Sequence, residues 1–199
     1  MSRGLGDVYK RQHYNYPRVG GVKRDIPVGF ADRLIAKIKL FEHRIDEYEM
    51  MLDESTIWLV RLQGVGYAKA EDMVNAGVSG PNIRAAGVNY DVRWAHPYSV
   101  YDQVDWEPAV EKPTSVKGAD CYDRYRVRME EMRQSCRMML DAIEKIPGGK
   151  NTNYANGDEM ILAKAPTRAP EGATGFSHYE CTRGASQFYI QGGGDGRGK

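Results

Sequence analysis

The stretch from Gly118 to Lys145 constrains this chain more than any other. Tyr122, Tyr125, Met129, Met132, Cys136, Met139 and Ile143 recur at steps of three and four, the spacing that lines up one face of an α-helix. The other face is crowded with charge. Asp120 with Arg124, Arg126 with Glu130, Arg137 with Asp141 and Asp141 with Lys145 stand four apart with opposite signs, where helical side chains meet. The pattern predicts a helix of roughly 26 residues, about 40 Å long. Such a rod has little use in a small isolated domain, so it reads as the spine of something larger.

A second stripe runs through Phe30, Leu34, Ile38, Phe41, Ile45, Tyr48 and Leu52. Pro27 stands just ahead of it, as at a helix start. Two long amphipathic helices predict a mainly α fold, a helical bundle packed stripe against stripe. The period changes near the C-terminus. Phe176, His178 and Glu180, then Gln187, Tyr189 and Gln191, alternate with their neighbours, and Gly184 lies between the two runs. That predicts a small C-terminal β-hairpin. Pro147-Gly148-Gly149 should end the long helix, and 150–172 should be an extended polar segment.

Between these elements the chain is broken by glycine. Ile57 to Leu62 is a short apolar run. Ala68 to Asn75 predicts a brief helix closed by Gly77. From Asn82 to Tyr101, Arg84, Asp91, Arg93, His96, Tyr98 and Tyr101 mix without a period. This predicts an irregular, packed loop, or an interface. Trp106 to Lys117, with two prolines, reads as a linker.

Composition narrows the function. At 199 residues the chain can build a core, 41% of it is apolar, and the net charge is +1, which disfavours a general nucleic-acid binder. No run of about 18 apolar residues exists and no apolar signal segment opens the chain, which predicts an intracellular protein with no transmembrane helix. Cys121, Cys136 and Cys181 form no Cys-x-x-Cys pair, and His13, His43, His96 and His178 share no ligand spacing, so no metal site is expected. Residues 1–12 resemble translated adapter sequence and are expected to be foreign, with a single domain over 13–199. One local pattern points elsewhere. Gly64-Val65-Gly66-Tyr67-Ala68-Lys69-Ala70 with Ala76-Gly77-Val78 resembles a helix-hairpin-helix, whose glycine turn donates N–H groups to a DNA phosphate. It keeps a non-catalytic DNA-binding module open as an alternative.

Several longer stretches point to one family: His13-Tyr14-Asn15-Tyr16-Pro17-Arg18-Val19-Gly20-Gly21-Val22, Ser79-Gly80-Pro81-Asn82-Ile83-Arg84-Ala85-Ala86-Gly87-Val88, Tyr90-Asp91-Val92-Arg93 and Tyr98-Ser99-Val100-Tyr101-Asp102. The most specific are Gly118-Ala119-Asp120-Cys121-Tyr122-Asp123-Arg124-Tyr125 and Arg128-Met129-Glu130-Glu131-Met132-Arg133-Gln134-Ser135. Together they resemble the quinone-site, D-type subunit of respiratory complex I, which is related to the large subunit of nickel–iron hydrogenases. The resemblance covers nearly everything from His13 onward. Glu180-Cys181-Thr182-Arg183-Gly184 resembles the family's Glu-Ala-Pro-Arg-Gly, with Cys181 and Thr182 as departures. Pro17 departs too, standing where the family has a large apolar residue.

The resemblance implies a hydrogenase-large-subunit-like fold and electron transfer to quinone coupled to ion pumping. It implies a quinone cavity shared with a neighbouring iron–sulfur subunit, which ligates the terminal [4Fe–4S] cluster. His13 matches the family's histidine near that cluster, where a hydrogen bond or a protonation change would tune the potential. Arg18 would add positive charge there. Arg84, Asp91, Arg93 and Asp102 would brace the cavity walls or a subunit interface, without being catalytic. The implied location is peripheral, on the cytoplasmic side of the cell membrane, beside other complex I subunits and, indirectly, the membrane arm. The electron donor could be NADH, ferredoxin or a reduced deazaflavin, and nucleic acid is not an expected partner. The family's quinone-headgroup histidine and tyrosine lie upstream of His13, so the chain is expected to be truncated at both ends and inactive alone. The hydrogenase alternative stays open, because its Cys-x-x-Cys pairs would lie beyond those ends.

Overall fold

A computed structural model of the chain describes residues 17–18, 21–22, 29–145 and 170–193. His13, residues 1–12 and most of 146–172 lie outside the described residues, so the expectations placed on them have no structural counterpart. The chain divides into two units. Met1–Ala31, Ile146–Ala173 and Gln191–Lys199 form one, and Asp32–Lys145 with Thr174–Ile190 form the other. In the first, β1 (Pro17–Arg18) pairs antiparallel with β2 (Gly21–Val22), Pro17 opposite Val22 and Arg18 opposite Gly21.

The second unit is mainly helical. It takes in nearly all of α1 (Phe30–Asp53), then α2 (Thr56–Leu62), α3 (Ala70–Asn75), α4 (Pro81–Ala85), α5 (Val92–Ala95) and α6 (Cys121–Lys145). A two-stranded sheet follows, β3 (Thr174–Cys181) with β4 (Gly184–Gln191), joined by a turn at Thr182–Arg183. Gly184 therefore opens the second strand rather than sitting in the turn. The short apolar run after Ser55 is helical because the Ser55 hydroxyl caps it, accepting from the Trp58 N–H at 3.4 Å. The 82–101 stretch is not wholly irregular. Pro81 at the first position starts α4, and the Asp91 carboxylate caps α5.

Helix α6 starts at Cys121 because two aspartates cap it reciprocally. The Asp123 N–H donates to the Asp120 carboxylate at 2.9 Å, and the Asp120 N–H donates to that of Asp123 at 3.1 Å. This is a capping box closed by a short acid. Tyr125, Met129 and Cys136 are buried against Ile38 and Ile45 of α1, with Trp58 of α2 packed at the edge. Trp58 meets Tyr125 edge-on at 5.4 Å. Phe30, Phe41 and Tyr48 of the α1 stripe, and Met139 of the α6 stripe, stay 39–45% exposed.

The charge-rich face of α6 is not wholly exposed. Val127 and Asp123 are fully buried there, and Val127 packs with Ile83, Ala85, Ala86 and Ala119 in a second apolar cluster built on α3 and α4. Of the four pairs expected within the helix, only Asp141 with Lys145 forms, at 2.7 Å. Asp120 lies before the helix and is spent on capping. Arg124 donates to the Gly66 carbonyl at 2.6 Å. Arg126 reaches Glu111 at 3.1 Å, and Arg137 turns to Glu130 at 3.5 Å. Arg124 and Arg126 thus reach outside the helix, while Arg137 pairs one acid seven positions back along it. Among the described residues, no helix is long and apolar enough to cross a membrane.

Candidate functional site

Arg84 sits on the last turn of α4, and its side chain is 2% exposed. A guanidinium at such depth must be paired. Its Nη1 donates to the Tyr90 carbonyl at 3.1 Å and to Glu180 of β3 at 3.0 Å, and lies 3.1 Å from Asp91. Its Nη2 donates to Glu131 of α6. Two elements, β3 and α6, and the loop ahead of α5 thus converge on the cation that α4 carries.

Asp91 is the second hub. Its side chain is fully buried, and it takes Arg93 in a fork, Nε to Oδ1 at 2.9 Å and Nη2 to Oδ2 at 2.7 Å. The same Oδ1 accepts the Arg93 N–H at 2.9 Å. Two parallel bonds to one carboxylate are the geometry that arginine offers and lysine does not. Beyond Asp91, the Arg93 guanidinium lies 4.7 Å from the Trp106 ring and 5.6 Å from that of Tyr101. Burial works against the charge on Arg93, but the hydrogen bonds and negative charge of Asp91 outweigh it and raise the group above its ordinary value. Glu180 completes the set. Its second oxygen accepts the Val92 N–H at 3.2 Å, and its own N–H donates to the Tyr98 hydroxyl at 3.2 Å. Burial pushes that hydroxyl up, against the bond from Glu180.

Glycine makes the approach of β4 possible. A Cβ on Gly80 would stand 2.4 Å from the Gly184 Cα, and Gly80 has φ +74°, a region L-residues avoid. The Ala185 N–H then reaches the Ser79 hydroxyl at 2.8 Å.

The structure therefore brings Arg84, Asp91 and Arg93 together and leaves Asp102 apart. Asp102 is exposed and makes no hydrogen bond or ion pair with another described residue. Arg18 lies in β1, and His13 is outside the described residues. Glu131, Glu180, Tyr98 and Trp106 were not among the expected site residues. Glu131 and Glu180 do stand in motifs that carry the family resemblance, but spacing alone cannot show that acids 49 positions apart share one arginine. Chemically the cluster is spent on itself: it holds segments in register and presents no free nucleophile or base. The glycine turn of the DNA-binding alternative is also committed internally, for the Gly64 N–H donates to Asp120 at 2.9 Å. That bond uses the group a phosphate would need. The cysteines are free, Cys136 is buried, and burial pushes its thiol up. Among the described residues, no group of three histidine, cysteine or acidic side chains is set to hold a metal ion.

A family model described as the 49 Kd subunit of respiratory-chain NADH dehydrogenase matches residues 8–198. The match begins inside the stretch set aside as foreign. The H-type subunit of NAD(P)H-quinone oxidoreductase from a Synechococcus species is 37% identical over 194 residues, covering 89% of this chain and 48% of that protein. Its counterpart in Prochlorococcus marinus is 38% identical over 197 residues, covering 91% and 48%. A D-type subunit of NADH-quinone oxidoreductase from Rhizobium etli is 40% identical over 198 residues, covering 90% and 48%. The chain spans about half the length of the curated relatives it matches.

Proposed function

Because this chain belongs to the 49 kDa subunit family of respiratory-chain NADH dehydrogenase, we propose that it forms part of the quinone-reducing module of an NADH-quinone oxidoreductase. The match over residues 8–198 carries the proposal, and relatives named as D-type and H-type subunits of quinone oxidoreductases support it. The family is the respiratory one rather than the hydrogenase that the sequence left open.

In this proposal the chain walls the quinone cavity beside a neighbouring iron–sulfur subunit, within a helical bundle of the hydrogenase-large-subunit type. The terminal [4Fe–4S] cluster belongs to that neighbour. The three cysteines here do not converge and would not hold it. Bound there, the cluster supplies single electrons to quinone. His13 and Arg18 would lie near it and set its potential by hydrogen bonding and charge. The chain's own described residues contribute rigidity. Electron transfer and protonation both need fixed distances, and the Arg84–Asp91–Arg93 cluster ties α4 to the start of α5 and, through Glu131, to α6. Asp102, which is exposed, would brace a subunit contact rather than join the buried cluster. The assembly sits peripherally on the cytoplasmic side of the membrane, joined to its membrane arm through other subunits.

A chimera tests this. These residues would replace the matched half of the Rhizobium etli D-type protein, and membranes would be run on native gels and assayed for NADH-dependent quinone reduction. The chimera should migrate with the assembled complex and support reduction. A stable chimera that stays outside the complex would overturn the assignment.

A further inference from the structure

Five charged side chains meet in the buried cluster, yet four of them already balance. Arg84 and Arg93 carry two positive charges, and Asp91 and Glu131 carry two negative ones. These four come from α4, α5 with its cap, and α6. Glu180 is the fifth, and it comes from β3. Its side chain is 4% exposed, and it leaves the cluster with one negative charge in excess. Burying such a carboxylate carries a large desolvation cost. Opposing that cost are one arginine nitrogen, which Glu180 shares with Tyr90 and Asp91, and the Val92 N–H.

The rest of the hairpin is lightly held. No residue of β3 or β4 belongs to either apolar cluster. Phe176, Phe188, Tyr189 and Ile190 are 51–66% exposed. Among the described residues, the other ties are polar, edge or backbone contacts: Glu180 N–H to Tyr98, Ala185 N–H to Ser79, the His178 ring against that of His96 at 5.3 Å, and the Gly184 backbone close against that of Gly80. Without shared apolar burial, little couples the opening of the hairpin to that of the helices.

We propose that the β3–β4 hairpin is a detachable latch. Glu180 is its charged tenon, and Arg84 with the Val92 N–H is the socket. The hairpin leaves the helices without unfolding them, because a charge-balanced set of four stays behind.

Amide hydrogen exchange on the full chain tests this in two ways. In the unaltered chain, β3 and β4 amides should exchange through an opening nearly insensitive to low urea, while α1 and α6 amides respond steeply. Hairpin amides that instead follow the helices on one urea dependence would overturn the latch. In Glu180→Ala, hairpin peptides should exchange at least about tenfold faster, the equivalent of one lost charge-assisted hydrogen bond, with α1 and α6 unchanged. Equal acceleration everywhere makes Glu180 a global staple, and no acceleration removes it as the tenon. Either result rejects the proposal.

Discussion

Arg84 and Tyr125 show two ways in which a polar group can live inside this unit. Arg84 is surrounded by carboxylates, and only its Nε, buried, has no partner among the described residues. Tyr125 instead keeps its hydroxyl in a mostly apolar cluster, where that oxygen is likewise buried without a partner. Burial first, then the charges of Asp53 and Glu49, push its ionisation up to about 12 from 10.0. Above the ordinary tyrosine value the unfolded chain loses this proton while the folded one keeps it, so stability falls as pH rises through that window. Tyr125→Phe should therefore lose less stability between pH 10 and about 12 than the parent chain, measured by urea unfolding at each pH. Equal slopes would show that Tyr125 ionises as readily folded as unfolded. Among single residues the sequence was partly legible. Arg84, Asp91 and Arg93 were singled out, with Asp102, because they stand in the motifs that carry the family resemblance. Glu131 and Glu180 could not be joined to them, since what unites the five is one buried cation reached through the fold.

Helix α6 was the most legible element, and it was also the most incompletely read. Its periodic stripe identified the face toward α1. The face toward α4 holds one valine among charged residues, and a lone valine makes no period. The charges on α6 serve mainly as links between elements. Arg133 reaches Glu49 and, at 3.0 Å, Asp46 of α1. The bond to Glu49 comes first among the causes that raise Arg133 above its ordinary value. Near the other end, Asp141 accepts the Asp105 N–H at 3.1 Å while Lys145 donates to the Gln103 carbonyl at 2.7 Å, tying the 103–105 loop to the last turns. The Arg133–Glu49 pair is partly exposed, so its strength should be that of a surface bridge. A double-mutant cycle with Arg133→Ala and Glu49→Ala should return a coupling of about 0.2–1 kcal/mol in urea unfolding. A coupling indistinguishable from zero would mean that this pair adds nothing to the contact between the two helices.

Taken whole, the second unit leaves much apolar surface uncovered. Met50, Met51, Ile57 and Val60, at the end of α1 and on α2, are 59–72% exposed, and patches of this kind mark contact surfaces. The chain should therefore associate as its concentration rises. Light scattering on a dilution series checks this, and Ile57→Lys with Val60→Glu should flatten the rise; an unchanged curve would clear α2 of any part in it. The family, the two long helices and the hairpin could be read from the residues alone. Each of these is written in short-range form, as a period, a turn residue or a run of a few motif positions. The pairing of the charges, the second core on α6 and the reach of Glu180 across 96 positions to Arg84 emerge only in the folded chain. Those choices turn on desolvation and distance. Both are properties of where the chain brings a residue, and neither is carried by the residues beside it.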